Sequence, residues 1–322
     1  MTLESYDICC VEDIEVRETE WLWYPYIPYG KITIIQGDPG EGKTTLALNI
    51  AAALSRGKIL GSDEETEAGN IIYQTAEDGF ADTIKPRLVA AGADCTKIKW
   101  VNESYEPLSF TDERLEEAIQ RIQPKLVILD PLQAYLGANV DMHRANEIRP
   151  VMSRLAFLAH GYQCAIVLIG HMNKNMGTKS SYRGLGSIDL TAAARSVLVV
   201  AREKKDKQIR VVAQIKSSLA PEGDTIAFRL SENNGFTFMG KYEADIDALL
   251  MGVGKTSQRS AASDFLKEFL AEGKKPSLEI YAAAAQRGIS TKTLRRAKDE
   301  LNIRVSRKES CWFWELNGND KT

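Results

Sequence analysis

Cysteine and histidine are scarce in this chain, at five and three among 322 residues. The cysteines (Cys9, Cys10, Cys95, Cys164, Cys311) are odd in number and scattered. No pair has the spacing of a metal-binding knuckle and no disulfide framework can be drawn, so a reducing compartment is the simplest setting. Long apolar runs are also missing: none approaches the roughly 18 residues that a membrane span needs. The opening stretch MTLESYDICCVEDIEVRE is acidic and has no apolar signal core. These absences lead to the expectation of a cytoplasmic protein with no membrane partner. Internal repeats and low-complexity tracts are absent as well.

What is present is ordinary for a globular protein, with 44% hydrophobic and 26% charged residues. At about 150 residues per domain the length allows two domains, and a chain this long can bury a core without disulfides or metals. The net charge of −3 is unevenly spread: residues 255–316 carry 13 Lys/Arg against 8 Asp/Glu, a net of +5, and residues 1–254 carry 27 against 35, a net of −8. Overall acidity therefore leaves room for a nucleic-acid partner at the C-terminal end, although small helical domains also vary in charge.

Residues 31–216 alternate short apolar, β-branched runs with longer helical patterns. The runs are KITIIQG (31–37), NIIYQTAED (70–78), KLVILD (125–130), CAIVLIGH (164–171), SVLVVARE (196–203) and IRVVAQIK (209–216). The first four are apolar at nearly every position, as buried parallel strands are. Helices are predicted between them at 43–55, 79–92, 111–123 and 144–161. The fold class expected is α/β, a mostly parallel sheet flanked by helices. The last two runs, with 224–232 and 236–240, read as antiparallel hairpins at one sheet edge.

The predicted organisation is a lead-in segment over 1–30, an α/β core over 31–243, a linker over 244–258 and a small, mainly helical domain over 259–322. In the last, Pro276 opens one helix, Ser290 or Thr291 caps another, and WFWEL (312–316) reads as a strand. Three helices and a β-wing suit a winged-helix-like domain. Leu294, Ala297 and Leu301 share one helical face, leaving Lys292, Arg295, Arg296 and Lys298 on the remaining surface. That is the pattern of a helix presented to DNA; a solvated basic helix docking on protein is the competing reading.

The sharpest motif is Gly37-Asp38-Pro39-Gly40-Glu41-Gly42-Lys43-Thr44, followed by Thr45. It matches G-x-x-x-x-G-K-[ST] and stands between a predicted strand and a predicted helix. Glycines let the backbone curl its N–H groups toward phosphate oxygens, and the helix start adds the positive end of its dipole. Lys43 is placed to reach the β- and γ-phosphates of ATP and Thr44 to hold Mg²⁺. Asp130, at the tip of LVILD, suits a water-mediated Mg²⁺ contact; the competing reading is a cap on the turn before Pro131. Glu77 is the candidate base for the attacking water, against an acidic helix N-terminus as the alternative. His171 ends another strand, and its chemistry alone leaves a γ-phosphate contact and an ordinary strand-end histidine equally open.

The ordered series Trp21–Lys31 (WLW to IP-x-G-K), GDPGEGKTT, TAED, LVILDP, IGHMNK, YRGLGS, ARSVL and IKSSLAP resembles the RecA-like ATPases of phages, plasmids and integrated elements. That group includes hexameric replicative helicases of the RepA type, with RadA and DnaB more distant. The likeness covers about residues 20–240. It implies Glu77 as catalytic base, His171 as γ-phosphate sensor, and a channel-facing loop at 173–187 whose Lys174, Lys179 and Arg183 meet single-stranded or forked DNA. A polar surface loop is the plainer reading of that segment. The likeness also implies a hexameric homo-oligomer with helicase activity. One departure stands out. Ring helicases of the DnaB type carry Lys-x-Arg after the late strand, whereas this chain has Lys216-Ser217-Ser218, which leaves Lys216 alone to reach a neighbour's nucleotide. An ATP-gated DNA-binding protein without unwinding activity, and a small-molecule kinase, are the rival expectations.

Overall fold

A computed structural model of the chain describes residues 10–137, 140–142, 144–171, 188–231, 235–244, 246, 256–271, 273–308 and 311–316. The chain divides into two compact units, Met1–Asp245 and Ile246–Thr322.

The first unit is built on a nine-stranded sheet. In chain order its elements are β3 (Ile32–Gly37), α1 (Lys43–Ser55), β4 (Ile71–Thr75), α2 (Lys85–Ala90), β5 (Ile98–Lys99), α3 (Glu113–Ile122), β6 (Leu126–Asp130), α4 (Ala145–Gly161), β7 (Ala165–His171), α5 (Ile188–Ala193), β8 (Ser196–Arg202), β9 (Ile209–Ser217), β10 (Ile226–Ser231) and β11 (Gly235–Lys241). A short ladder of β1 (Trp21–Trp23) and β2 (Ile27–Pro28) precedes them. The spatial order is β11-β10-β9-β8-β3-β7-β6-β4-β5. From β8 to β5 every neighbouring pair is parallel, and β9, β10 and β11 extend the β8 edge antiparallel.

The continuous apolar runs follow from burial on both faces. Ile35, Tyr73, Ile128 and Val167 face α1 and α2, in one cluster with Leu46, Ile50 and Leu88. Their neighbours Ile34, Ile72, Val127 and Ile166 face α3 and α4, with Leu115, Ile119, Leu155 and Leu158. This is the mostly parallel α/β layering expected. Because the parallel strands are in register, their C-terminal tips line up: Gly37 is beside His171 and Thr75 is beside Asp130.

Three features differ from the expectation. β8 is not part of an edge hairpin alone; it lies on β3 as a fifth long parallel strand, and β5 adds a short sixth. The short connection to β9 gives β8 the look of a hairpin arm, while its pairing with β3, more than 150 positions earlier, leaves no local signal. The described part of the lead-in is also core rather than appendage, since Leu22, Trp23, Tyr26 and Ile27 are buried in the cluster that lines α1.

The second unit contains α6 (Thr256–Phe269), β12 (Lys275–Pro276), α7 (Ser277–Gln286), α8 (Thr291–Glu300), β13 (Arg304–Lys308) and β14 (Cys311–Glu315). α6 begins inside the stretch read as linker, because Thr256 and Ser257 look polar and loop-like but sit in the helix's first turn. Phe265, Leu266, Ile280, Leu294, Ala297 and Trp314 form the core, and the three strands pair antiparallel in the order β12-β14-β13. Ser290 caps α8, its hydroxyl accepting from the Thr293 amide at 3.2 Å.

Candidate active site

The turn from β3 into α1 is made by glycines for two separate reasons. Gly40 and Gly42 have φ of +78° and +89°, the left-handed region that side chains avoid. At Gly37 the constraint is space: a Cβ would lie 2.3 Å from the Val200 carbonyl oxygen of β8. Gly42 caps α1 without any side-chain hydrogen bond. The first N–H groups of α1 therefore have no side-chain acceptor, and with the dipole end they form an anion receptor. Asp38, Pro39 and Gly40 are exposed at the crest, and Glu41, Gly42, Thr44 and Thr45 are half-buried behind it.

Lys43 is buried and folds back into this turn. Its Nζ donates to the carbonyls of Gly37 and Asp38, each at 2.9 Å, and lies 3.3 Å from His171 Nδ1. Burial pulls its pKa below the usual lysine value, and the carboxylates of Asp130, Asp38, Glu41 and Glu77 oppose that pull. The same carboxylates give the turn an acidic surrounding.

Asp130 is the second focus. Its Oδ2 accepts from Thr44 Oγ1 at 2.7 Å and from the Tyr73 hydroxyl at 2.9 Å. Burial raises the carboxyl's pKa, and the hydrogen bonds from Thr44 and Tyr73 work against the rise. Tyr73 is itself buried on β4, where desolvation and the nearby Asp130 push its phenol well above the usual value. The donor set of a hydroxyl and a carboxylate, both hard oxygens, fits Mg²⁺, which keeps several waters and takes few protein ligands. The described residues hold no cluster of three or more His, Cys, Asp or Glu that would form an all-protein cage.

Glu77 stands just beyond β4 on a turn held by Thr75, whose hydroxyl accepts from the amides of Glu77 and Asp78 at 3.4 and 3.3 Å. The Ala76 amide donates to the Asp130 carbonyl at 3.1 Å, tying this turn to the tip of β6. Glu77 is exposed, and its Oε1 lies 3.8 Å from His171 Nε2. His171 thus stands between Lys43 on one ring nitrogen and Glu77 on the other. Lys43, Thr44, Asp130, Glu77 and His171, drawn from the ends of three parallel strands (β4, β6 and β7) and the start of α1, share one edge of the sheet.

Lys216 is elsewhere. Its Nζ donates to the carbonyls of Thr191 and Ala192 at 2.8 and 2.9 Å, at the C-terminal turn of α5 in its own chain. Lys174, Lys179 and Arg183 lie outside the described residues. In the second unit Lys292, Arg295 and Arg296 are exposed on α8, with Arg295 Nε 3.3 Å from the Tyr281 hydroxyl.

Two residues of the site escaped sequence reasoning. Tyr73 is read there only as one apolar position of a strand. Arg202, at the end of β8, donates to the Gly40 carbonyl at 3.0 Å and comes within 3.8 Å of Glu41. The single available signal was an arginine ending a buried strand.

The AAA domain family matches residues 11–177. The DNA repair protein RadA of Mycobacterium tuberculosis is 26% identical over 211 residues, covering 63% of this chain and 38% of its own length. RadA of Streptococcus pneumoniae is 28% identical over 158 residues, 48% of this chain and 33% of that protein. RadA of Bacillus subtilis is 29% identical over 148 residues, 45% and 28%. The chain therefore spans about a third of the length of these relatives. A KaiC-like protein of Pyrococcus horikoshii superposes with a TM-score of 0.48 at 18% identity, covering 66% of this chain and 91% of that one.

Proposed function

We propose, from the premise that the chain belongs to the AAA domain family and is a RecA-like P-loop ATPase, that it hydrolyses Mg-ATP in a DNA transaction. The observation that carries the reading is the meeting of Lys43, Thr44, Asp130, His171 and Glu77 at one strand edge. The uncapped N–H groups of α1 and the Lys43 ammonium receive the β- and γ-phosphates. Thr44 and Asp130 hold Mg²⁺, which neutralises charge on the phosphate oxygens when bound. Glu77 orients the attacking water and takes its proton. His171, within reach of both Lys43 and Glu77, is suited to register whether the γ-phosphate is present.

The DNA side of the reading rests on the relatives that are named as DNA repair proteins and on the exposed cations of α8. In this reading the second unit is a winged-helix-like module in which Lys292, Arg295 and Arg296 meet phosphates. Lys174, Lys179 and Arg183 contact single-stranded or forked DNA, and the chain works as a hexameric ring, a helicase or translocase of a mobile element. The geometry of Lys216 favours a second reading. A lysine spent on its own chain's carbonyls offers no cation to a neighbour's nucleotide, which suits an ATP-gated DNA-binding protein without unwinding activity. ATP hydrolysis measured with and without single-stranded DNA, beside fork unwinding by the same preparation, separates these. DNA-stimulated hydrolysis with unwinding supports the ring helicase, stimulation without unwinding supports the gated binder, and hydrolysis indifferent to DNA contradicts both.

A further inference from the structure

We propose that the β13–β14 hairpin carries a stacking platform for an unpaired nucleobase, made by the Trp312 indole with the Arg307 guanidinium; this rests on the reading of the second unit as DNA-binding and specifies its ligand. In the hairpin Arg307 pairs directly with Trp312 and Val305 with Trp314. Residues two apart on a strand share a face, so the two tryptophans point the same way. Their surroundings are opposite. Trp314 is 4% exposed, packs edge-on against Tyr281 with centroids 5.4 Å apart, and has Lys298 Nζ 5.5 Å from its ring. It completes the core. Trp312, two pairs nearer the hairpin tip, is 51% exposed, with the Arg307 guanidinium carbon 5.5 Å from its ring centroid. The core accounts for Trp314 and gives Trp312 no packing role of that kind.

The cation beside the ring restrains the indole and leaves much of its surface open. The exposed cations of the second unit select the ligand. Lys292 and Arg296 on α8 are exposed, while on the other face of the hairpin Lys308 is exposed and Arg304 is directly opposite Glu315. A partner that is anionic and also presents flat π faces is a nucleic acid. In a duplex the base faces are covered by their neighbours; they open only in single strands, at ends and at junctions. The platform therefore takes a base from a single strand or from a junction between single and double strands, while the cations of α8 hold adjacent phosphates.

The test is fluorescence anisotropy of the full chain with labelled single-stranded, blunt duplex and forked DNA. For Trp312→Ala the expected result is about five- to tenfold weaker binding of single-stranded and forked DNA. Blunt-duplex affinity, ATP hydrolysis without DNA and the salt slope should be unchanged, since no phosphate contact is removed. Trp312→Phe, which keeps an aromatic face, should retain most of the affinity. If Trp312→Ala binds all three DNAs as the parent protein does, or weakens all three equally, the platform is overturned while the DNA-binding reading stands. Unchanged DNA binding with a lower native mass would reassign the indole to contact between copies of the chain and also overturn it. If the parent protein binds none of the three at low salt, the DNA-binding reading fails and the platform with it.

Discussion

Asp130 sits where burial opposes its charge and two hydroxyls support it. Its folded pKa lies above the ordinary carboxylate value. As pH rises past that ordinary value the unfolded chain gives up the proton first, so the folded state holds more protons and stability falls. The fall continues until the raised folded value is passed. Asp130→Asn keeps the shape and can accept from both hydroxyls, so the metal-free variant should be more stable than the parent above that window and should lose this part of the decline. Mg²⁺-dependent hydrolysis should drop at the same time. Thermal melts of both proteins across the carboxylate range, without metal, give the comparison; parallel curves would mean that Asp130 is ionised at no cost. At this scale the contiguous motif was readable because its chemistry is local: the glycines, Lys43 and Thr44 are within eight positions. The support of Asp130 was not, because Tyr73 reaches it from 57 positions away through the β4–β6 register.

Among elements, β3 is the one on which the site depends, flanked by β7 and β8 with no room to spare at its tip. The contact between Gly37 and the Val200 carbonyl makes this testable. Gly37→Ala places a Cβ 2.3 Å from a backbone oxygen, and backbone cannot turn aside as a flexible side chain can. β3 and β8 must separate, at a cost of about 2 kcal/mol or more. Urea unfolding should show a lower midpoint with an unchanged slope; an unchanged midpoint would show that the tip can yield. The parallel strands were legible for the reason that β3 is central. Burial on both faces writes an unbroken apolar run, as in Leu126–Leu129. β1, β2 and β5, of two or three residues, are too short to show any period. The place of β8 beside β3 is a long-range pairing with no local trace.

For the whole molecule, the division after Asp245 puts every residue of the phosphate site in the first unit. Removing residues 255–322 should leave ATP hydrolysis without DNA close to the parent rate. It should weaken duplex and forked DNA binding, and the lost part should be strongly salt-dependent, with each phosphate contact contributing about one to the salt slope. Equal affinity and equal slope in the shortened protein would assign the second unit to protein docking instead. Charge asymmetry and the cap at Ser290 made that unit visible in sequence; what its basic face touches depends on a partner that no single chain encodes. The most direct test of the account is the Glu77→Gln protein, followed for nucleotide binding and for phosphate release under single-turnover conditions. ATP binding within about twofold of the parent and phosphate release slower by about 10²-fold or more is the result expected of a base that acts on the attacking water; binding and release both near the parent values would contradict the assignment of Glu77 and, with it, the chemistry placed at this edge of the sheet.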